Sequence, residues 1–145
     1  MKEIMINDKL EQILIIDDDQ AHNYVATRVI EKMKIADKVK TFANSKEALE
    51  YILKQCEELP SGLCPELIFI DFFMPAMDAE ELMRRLQDAN FSNWDKVVFI
   101  GMSAVVKQES QERLFELGVR ETVEKPLSTE KVKDIYSRYF AKQIT

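Results

Sequence analysis

No apolar run in this 145-residue sequence approaches the length needed to cross a bilayer. The N-terminus offers only Ile4 to Ile6 as an apolar patch beside Lys2 and Glu3, too little for a signal-peptide core, so the chain is expected to be cytoplasmic. Clustered positive charge is missing as well. The 20 Lys and Arg are scattered among 26 Asp and Glu, for a net charge of −6, and this excludes nucleic acid as a direct ligand, because binding its backbone requires grouped cations. Cysteine is scarce: Cys56 and Cys64 have no nearby His, match no zinc or redox spacing, and are expected to be reduced thiols. The single histidine, His22, falls in the first turn of a predicted helix and is expected to be solvated. What is present, 46% hydrophobic and 32% charged residues, fits a globular chain of one-domain size. Residues 1–9 carry no pattern and are expected to form a flexible segment ahead of a single domain over 10–145.

Three short apolar runs stand out. Ile13-Leu14-Ile15-Ile16 ends in Asp17-Asp18-Asp19, Leu67-Ile68-Phe69-Ile70 ends in Asp71, and Val97-Val98-Phe99-Ile100 leads through Gly101 and Met102 to Ser103. Runs of this length read as strands buried on both faces. Lys38 to Phe42 alternates polar and apolar residues, as suits a strand near a sheet edge, and Thr122-Val123 sits in a short last strand before Lys125-Pro126. Between them lie helical patterns. Val25, Val29, Ile30 and Met33 share one face of the first; Asn44 and Glu47 make a capping-box start for the second, which fades near Glu58. Pro60 to Pro65 is a loop. Asp78 can cap a third helix bearing Leu82, Met83 and Leu86; a fourth runs from Gln108 to Leu117 and stops at Gly118; Ser128 caps a fifth with Val132, Ile135, Tyr136 and Tyr139 inward. Strands alternating with helices predict an α/β fold: a doubly wound, five-stranded parallel sheet of flavodoxin-like order 2-1-3-4-5.

In that topology the carboxyl ends of strands 1, 3, 4 and 5 converge, bringing Asp17, Asp18, Asp71, Ser103 and Lys125 together. Three carboxylates in one cleft repel one another and call for a cation beyond Lys125. Hard oxygen ligands suit Mg²⁺ and also admit Mn²⁺. A carboxylate beside such a metal can act as nucleophile toward a phosphoryl group, with a hydroxyl and an ammonium stabilising its oxygens in flight.

The motifs Ile15-Ile16-Asp17-Asp18-Asp19, Asp71 to Asp78, Ser103-Ala104 and Lys125-Pro126, in this order, resemble the receiver domains of two-component response regulators over about Leu10 to Phe140. The resemblance implies Asp71 as phosphoacceptor, Asp18 as direct Mg²⁺ ligand and Asp17 as a second acid working largely through water. It also implies the Phe73 backbone carbonyl in the metal shell, Ser103 as switch hydroxyl, Lys125 as phosphoryl clamp, and a cis Lys125-Pro126 bond. The partners it implies are a histidine kinase or phosphotransfer protein upstream and an unknown protein downstream, with homodimerisation through helix 4, strand 5 and helix 5. No output segment is read after Lys142, so the output is expected to be protein contact. Such a chain is a phosphoacceptor and not an enzyme.

The sequence departs from the family pattern at Ala79, where Gly is usual, and at Thr122, where many receivers carry an aromatic residue. Gln55 to Pro65 is longer than in a minimal receiver. Phe73 and Val105 are bulky and apolar on the approach to Asp71, and are expected to exclude the hydrolytic water and prolong the acyl phosphate. Two other functions have features of this chain for or against them. A receiver-shaped binding module independent of phosphorylation is compatible with Ala79 and Thr122. A Mg²⁺-dependent phosphatase of the haloacid dehalogenase type would need a second Asp as general acid two residues after Asp71, where this chain has Phe73.

Overall fold

Successive side chains of a strand point to opposite faces, so a run of large apolar residues is stable only where both faces are covered. The computed structural model, which describes residues 9–60, 62–105 and 107–140, places the apolar runs in such a sheet. The flexible segment expected over 1–9 falls, apart from Lys9, outside the described residues. In chain order the elements are β1 (Leu10–Ile16), α1 (Gln20–Met33), β2 (Ala36–Phe42), α2 (Ser45–Leu53) continued by a π-helical turn (Lys54–Glu58), and β3 (Leu67–Asp71). There follow α3 (Ala79–Asp88), β4 (Val98–Ser103), α4 (Gln108–Glu116), β5 (Val119–Glu124) and α5 (Thr129–Tyr139). All pairings are parallel and the strand order is β2-β1-β3-β4-β5, the flavodoxin-like arrangement that the alternation predicts.

The central strand β3 is buried along its whole length. Ile68 and Ile70 join Leu14, Ile16 and Phe99 beneath α2 and α3, while Leu67 and Phe69 join Ile13, Ile15 and Ile100 beneath α1 and α5. Each such side chain contributes roughly 1.5–3 kcal/mol of burial free energy, which fixes the register that sets Asp71 beside Met102 and Ile70 beside Ile16. Gly101 matters here: a Cβ at this position would lie 2.6 Å from the ring of Phe72, so glycine lets that ring pack directly over β4.

The helix starts follow their capping residues. Asp19 accepts from the His22 amide at 3.1 Å, Asn44 from Lys46 and Glu47 at 2.9 and 3.1 Å, Asp78 from Glu81 at 2.9 Å, and Ser128 from Lys131 at 3.3 Å. Helix α4 differs: Lys107 gives it no side-chain cap, and Leu114 is the buried residue it contributes. Ala79 begins α3 in helical conformation, and the left-handed position of the preceding loop falls on Ala76 at φ 68°.

Two expectations are corrected. Val25 is exposed; the rest of the expected α1 face holds, with Ile30 buried and Val29 and Met33 packed half-buried against the core, and His22, Asn23 and Ala26 complete it. Strand β5, Val119–Glu124, contains Thr122 and Val123 as expected, and its inner side chains are mostly half-buried. Cys56 and Cys64 are not free thiols but form a disulfide. The chain folds back between them, with Gly62 N–H donating to Leu59 O at 3.2 Å and Leu63 N–H to Gln55 Oε1 at 2.7 Å, so the extended loop is closed by its own cysteines.

Candidate functional site

The site forms where β1, β3, β4 and β5 end. Asp17 follows β1 directly, Asp71 is the last residue of β3, Ser103 the last of β4, and Lys125 follows β5, held by its backbone N–H to Ser103 O at 2.8 Å. The five residues singled out in the sequence are brought together there. Lys125 Nζ lies 2.8 Å from Asp17 Oδ2 and 3.2 Å from Asp71 Oδ2. Asp17, Asp18 and Asp71 each present a carboxylate oxygen, all within 4.8 Å of one another. Asp17 and Asp71 are buried, whereas Asp18 is exposed at the rim. The Lys125-Pro126 peptide bond is cis.

The two buried acids are not equivalent. Burial opposes the charge of Asp17, but hydrogen bonds from His22, Lys125 and the Asp19 N–H outweigh it and hold the carboxyl well below the usual carboxylate range. Asp71 goes the other way. Burial, reinforced by the neighbouring Asp17 charge, pushes its carboxyl up to about 6 despite Lys125. Burial also opposes the charge of Lys125, yet the two carboxylates hold its ammonium above the usual lysine range. One lysine therefore leaves the cluster with excess negative charge around Asp71. An all-oxygen donor set with that excess fits a hard divalent cation. Asp17, Asp18 and Asp71 could hold one, and the Phe73 carbonyl lies in the same connection, whose N–H reaches Asp71 Oδ1 at 3.4 Å.

Ser103 is buried and its hydroxyl is turned onto its own loop, donating to Val105 O at 2.8 Å and receiving Val105 N–H at 3.3 Å. Phe73 and Val105 stand at the mouth, 62% and 64% exposed. At the place of the usual aromatic residue, Thr122 Oγ1 accepts from Gln111 Nε2 of α4 at 2.7 Å.

His22 is the residue that the sequence reading missed. Expected in solvent, it is buried, with Nδ1 2.8 Å from Asp17 Oδ2 and Nε2 accepting the Leu127 N–H at 3.1 Å. The available signal was its position one turn after the N-cap Asp19, on the helix face that meets the end of β1. Asn23, beside it, donates from Nδ2 to Asp17 O at 2.7 Å. Neither Asp17 nor Asp18 caps the helix, since Asp19 does so.

The chain is similar to several known proteins. Over 140 residues the chain is 28% identical to two-component response regulator ARR22 of Arabidopsis thaliana, a match spanning 96% of this chain and 90% of that protein. It is 25% identical over 131 residues to sporulation initiation phosphotransferase F of Bacillus subtilis, spanning 89% and 93% of the two. A 26% match over 133 residues to hybrid signal transduction histidine kinase L of Dictyostelium discoideum spans 90% of this chain but 7% of that protein. Among solved structures, a two-component response regulator from Cytophaga hutchinsonii superposes with a TM-score of 0.80 at 22% identity, covering 90% of this chain and 97% of that one. Chemotaxis protein CheY4 of Vibrio cholerae does so with a TM-score of 0.71 at 16% identity, covering 90% and 98%. The family model for the response regulator receiver domain matches residues 13–137, and the chain belongs to that family.

Proposed function

We propose that the chain is a phosphorylation-controlled switch that accepts a phosphoryl group on Asp71 from a phosphohistidine of a kinase or phosphotransfer protein. The observation that carries this reading is the pairing of a buried, strand-end Asp71 with Lys125 at 3.2 Å, beside an Asp17 that is firmly ionised. An Asp71 oxygen forms the new bond to phosphorus as the bond to the histidine nitrogen breaks, and the imidazole leaves with that bond's electron pair. Lys125 is placed to neutralise a phosphoryl oxygen. Asp17, Asp18, Asp71 and the Phe73 carbonyl would hold Mg²⁺, or Mn²⁺ in its place, and the ion would supply charge neutralisation. Ser103 then gives up its two loop contacts and turns toward the phosphoryl group, exchanging hydrogen bonds worth about 0.5–1.5 kcal/mol each.

The output in this reading is protein contact through α4, β5 and α5, either with a downstream protein or with a second copy. No reaction is turned over apart from gain and loss of the chain's own phosphoryl group. No helix among the described residues is long and apolar enough to cross a membrane. The reading places the chain in the cytoplasm.

Incubation with Mg²⁺ and a small phosphodonor, followed by intact mass, tests the proposal. One phosphoryl group, lost in Asp71→Ala, is the expected result. No adduct from any donor or kinase would leave a binding module independent of phosphorylation, and turnover of an unrelated phosphoester would point to a hydrolase.

A further inference from the structure

We propose that His22 is the positioning residue of this site, locking the Asp17 carboxylate and the turn that carries Lys125 into one unit. The proposal rests on the functional reading above. Because the Leu127 N–H donates to Nε2, that nitrogen bears no proton, so the ring proton sits on Nδ1 and is donated to Asp17 Oδ2. The same oxygen receives Lys125 Nζ at 2.8 Å, and Asp17 Oδ1 receives the Asp19 N–H at 2.9 Å. A closed circuit results. It runs from Asp17 through the rigid imidazole to the Leu127 amide, back along the backbone through Pro126 to Lys125, and from Nζ to Asp17 again.

A buried histidine that merely satisfied its polar atoms could spend them on any nearby carbonyl. Here one nitrogen is spent on the site's acid and the other on an amide two residues past Lys125, with the Leu127 side chain buried in the same cluster as Ala26, Ile30 and Val132. The ring therefore transmits any reorientation of Asp17 to the β5–α5 turn. Partners of a metal-binding acid at this remove change metal affinity by roughly 10- to 100-fold when deleted.

The test uses the full chain labelled with ¹⁵N, and two variants. In the wild type, the imidazole spectrum should show the proton on Nδ1, and a Mg²⁺ titration should move the Leu127 amide resonance in step with amides beside Asp71. His22→Asn places an amide NH₂ where Nδ1 stood and leaves Leu127 without its acceptor, so the Leu127 resonance should stop responding to Mg²⁺. His22→Ala should lose about 10- to 100-fold in Mg²⁺ affinity. A folded His22→Ala with unchanged affinity overturns the proposal, as does a proton on Nε2. If His22→Ala does not fold, a Leu127 amide that still follows Mg²⁺ in His22→Asn overturns it. A wild-type chain that neither binds Mg²⁺ nor accepts a phosphoryl group overturns this proposal together with the functional reading, whereas success there with unchanged affinity in His22→Ala, or with a Leu127 amide that still responds in His22→Asn, overturns this one alone.

Discussion

Asp71 destabilises the metal-free fold in a way that pH reveals. Its carboxyl titrates near 6 in the folded chain against an ordinary value of 3.8, so the folded state holds the proton more tightly than the unfolded state does. Below about pH 4 both states are protonated and the penalty is absent; it grows between about 4 and 6 and is complete above. At about 1.4 kcal/mol per unit, Asp71→Asn should stabilise the metal-free protein by a few kcal/mol at pH 7 and hardly at all at pH 4, as read by urea denaturation at both values. Mg²⁺ should narrow the pH 7 difference by stabilising the wild type. Phe73 makes a second prediction. An exposed phenyl ring at the mouth offers no hydrogen bond to a water attacking the acyl phosphate, so Phe73→Asn should shorten the phosphoryl lifetime by about 10-fold or more, against the roughly 10²–10⁴-fold that a fully positioned acid or base supplies. An unchanged decay rate, followed by loss of the phosphorylated mass, would remove Phe73 from that role.

The extended π-helical turn and its loop lie at the pole opposite the site, separated from it by the five residues of β3, roughly 17 Å of strand. Closing the short loop between Cys56 and Cys64 is worth roughly 2–3 kcal/mol through the unfolded state. Reduction, or Cys56→Ser with Cys64→Ser, should therefore lower the denaturation midpoint by that equivalent while leaving phosphoryl acceptance within about 2-fold, since additivity holds for distant sites. The same loop shows why part of the structure was not legible in the sequence. Strands β1, β3 and β4 announce themselves because a parallel sheet buried on both faces demands unbroken apolar runs, and their final residues name the site. The placements of Asp17, Asp71 and Ser103 were readable for that reason. The disulfide was not, because two cysteines eight residues apart match no metal or redox spacing, and only the fold-back at Gly62 brings them together. His22 was hidden by the opposite problem. A polar residue in the first turn of a helix reads as solvated, and only its contacts with Asp17 after β1 and the Leu127 amide after β5 turn it inward. The half-buried β5 gave too little apolar signal to reveal its length.

At the scale of the whole molecule, a rigid sheet gathers acids and one lysine at a single edge, and the surrounding surface differs in how firmly it is held. Helix α1 is capped and packed through His22, Ala26 and Ile30, whereas α4 has no cap, buries Leu114, and is tied to β5 through the Gln111–Thr122 hydrogen bond. In the proposed function that contrast makes α4 the element to respond when Ser103 changes its contacts, with a polar link in place of a rotating aromatic ring. The proposed output is protein contact, which suits a net charge of −6. All of this depends on Asp71 accepting a phosphoryl group. The most direct measurement is a peptide mass map of the chain after exposure to a small phosphodonor, with Mg²⁺ and with the metal chelated. The account predicts a single phosphoryl group on the peptide containing Asp71 that requires Mg²⁺ to form; a phosphoryl group on another residue, or none with Mg²⁺ present, would contradict it.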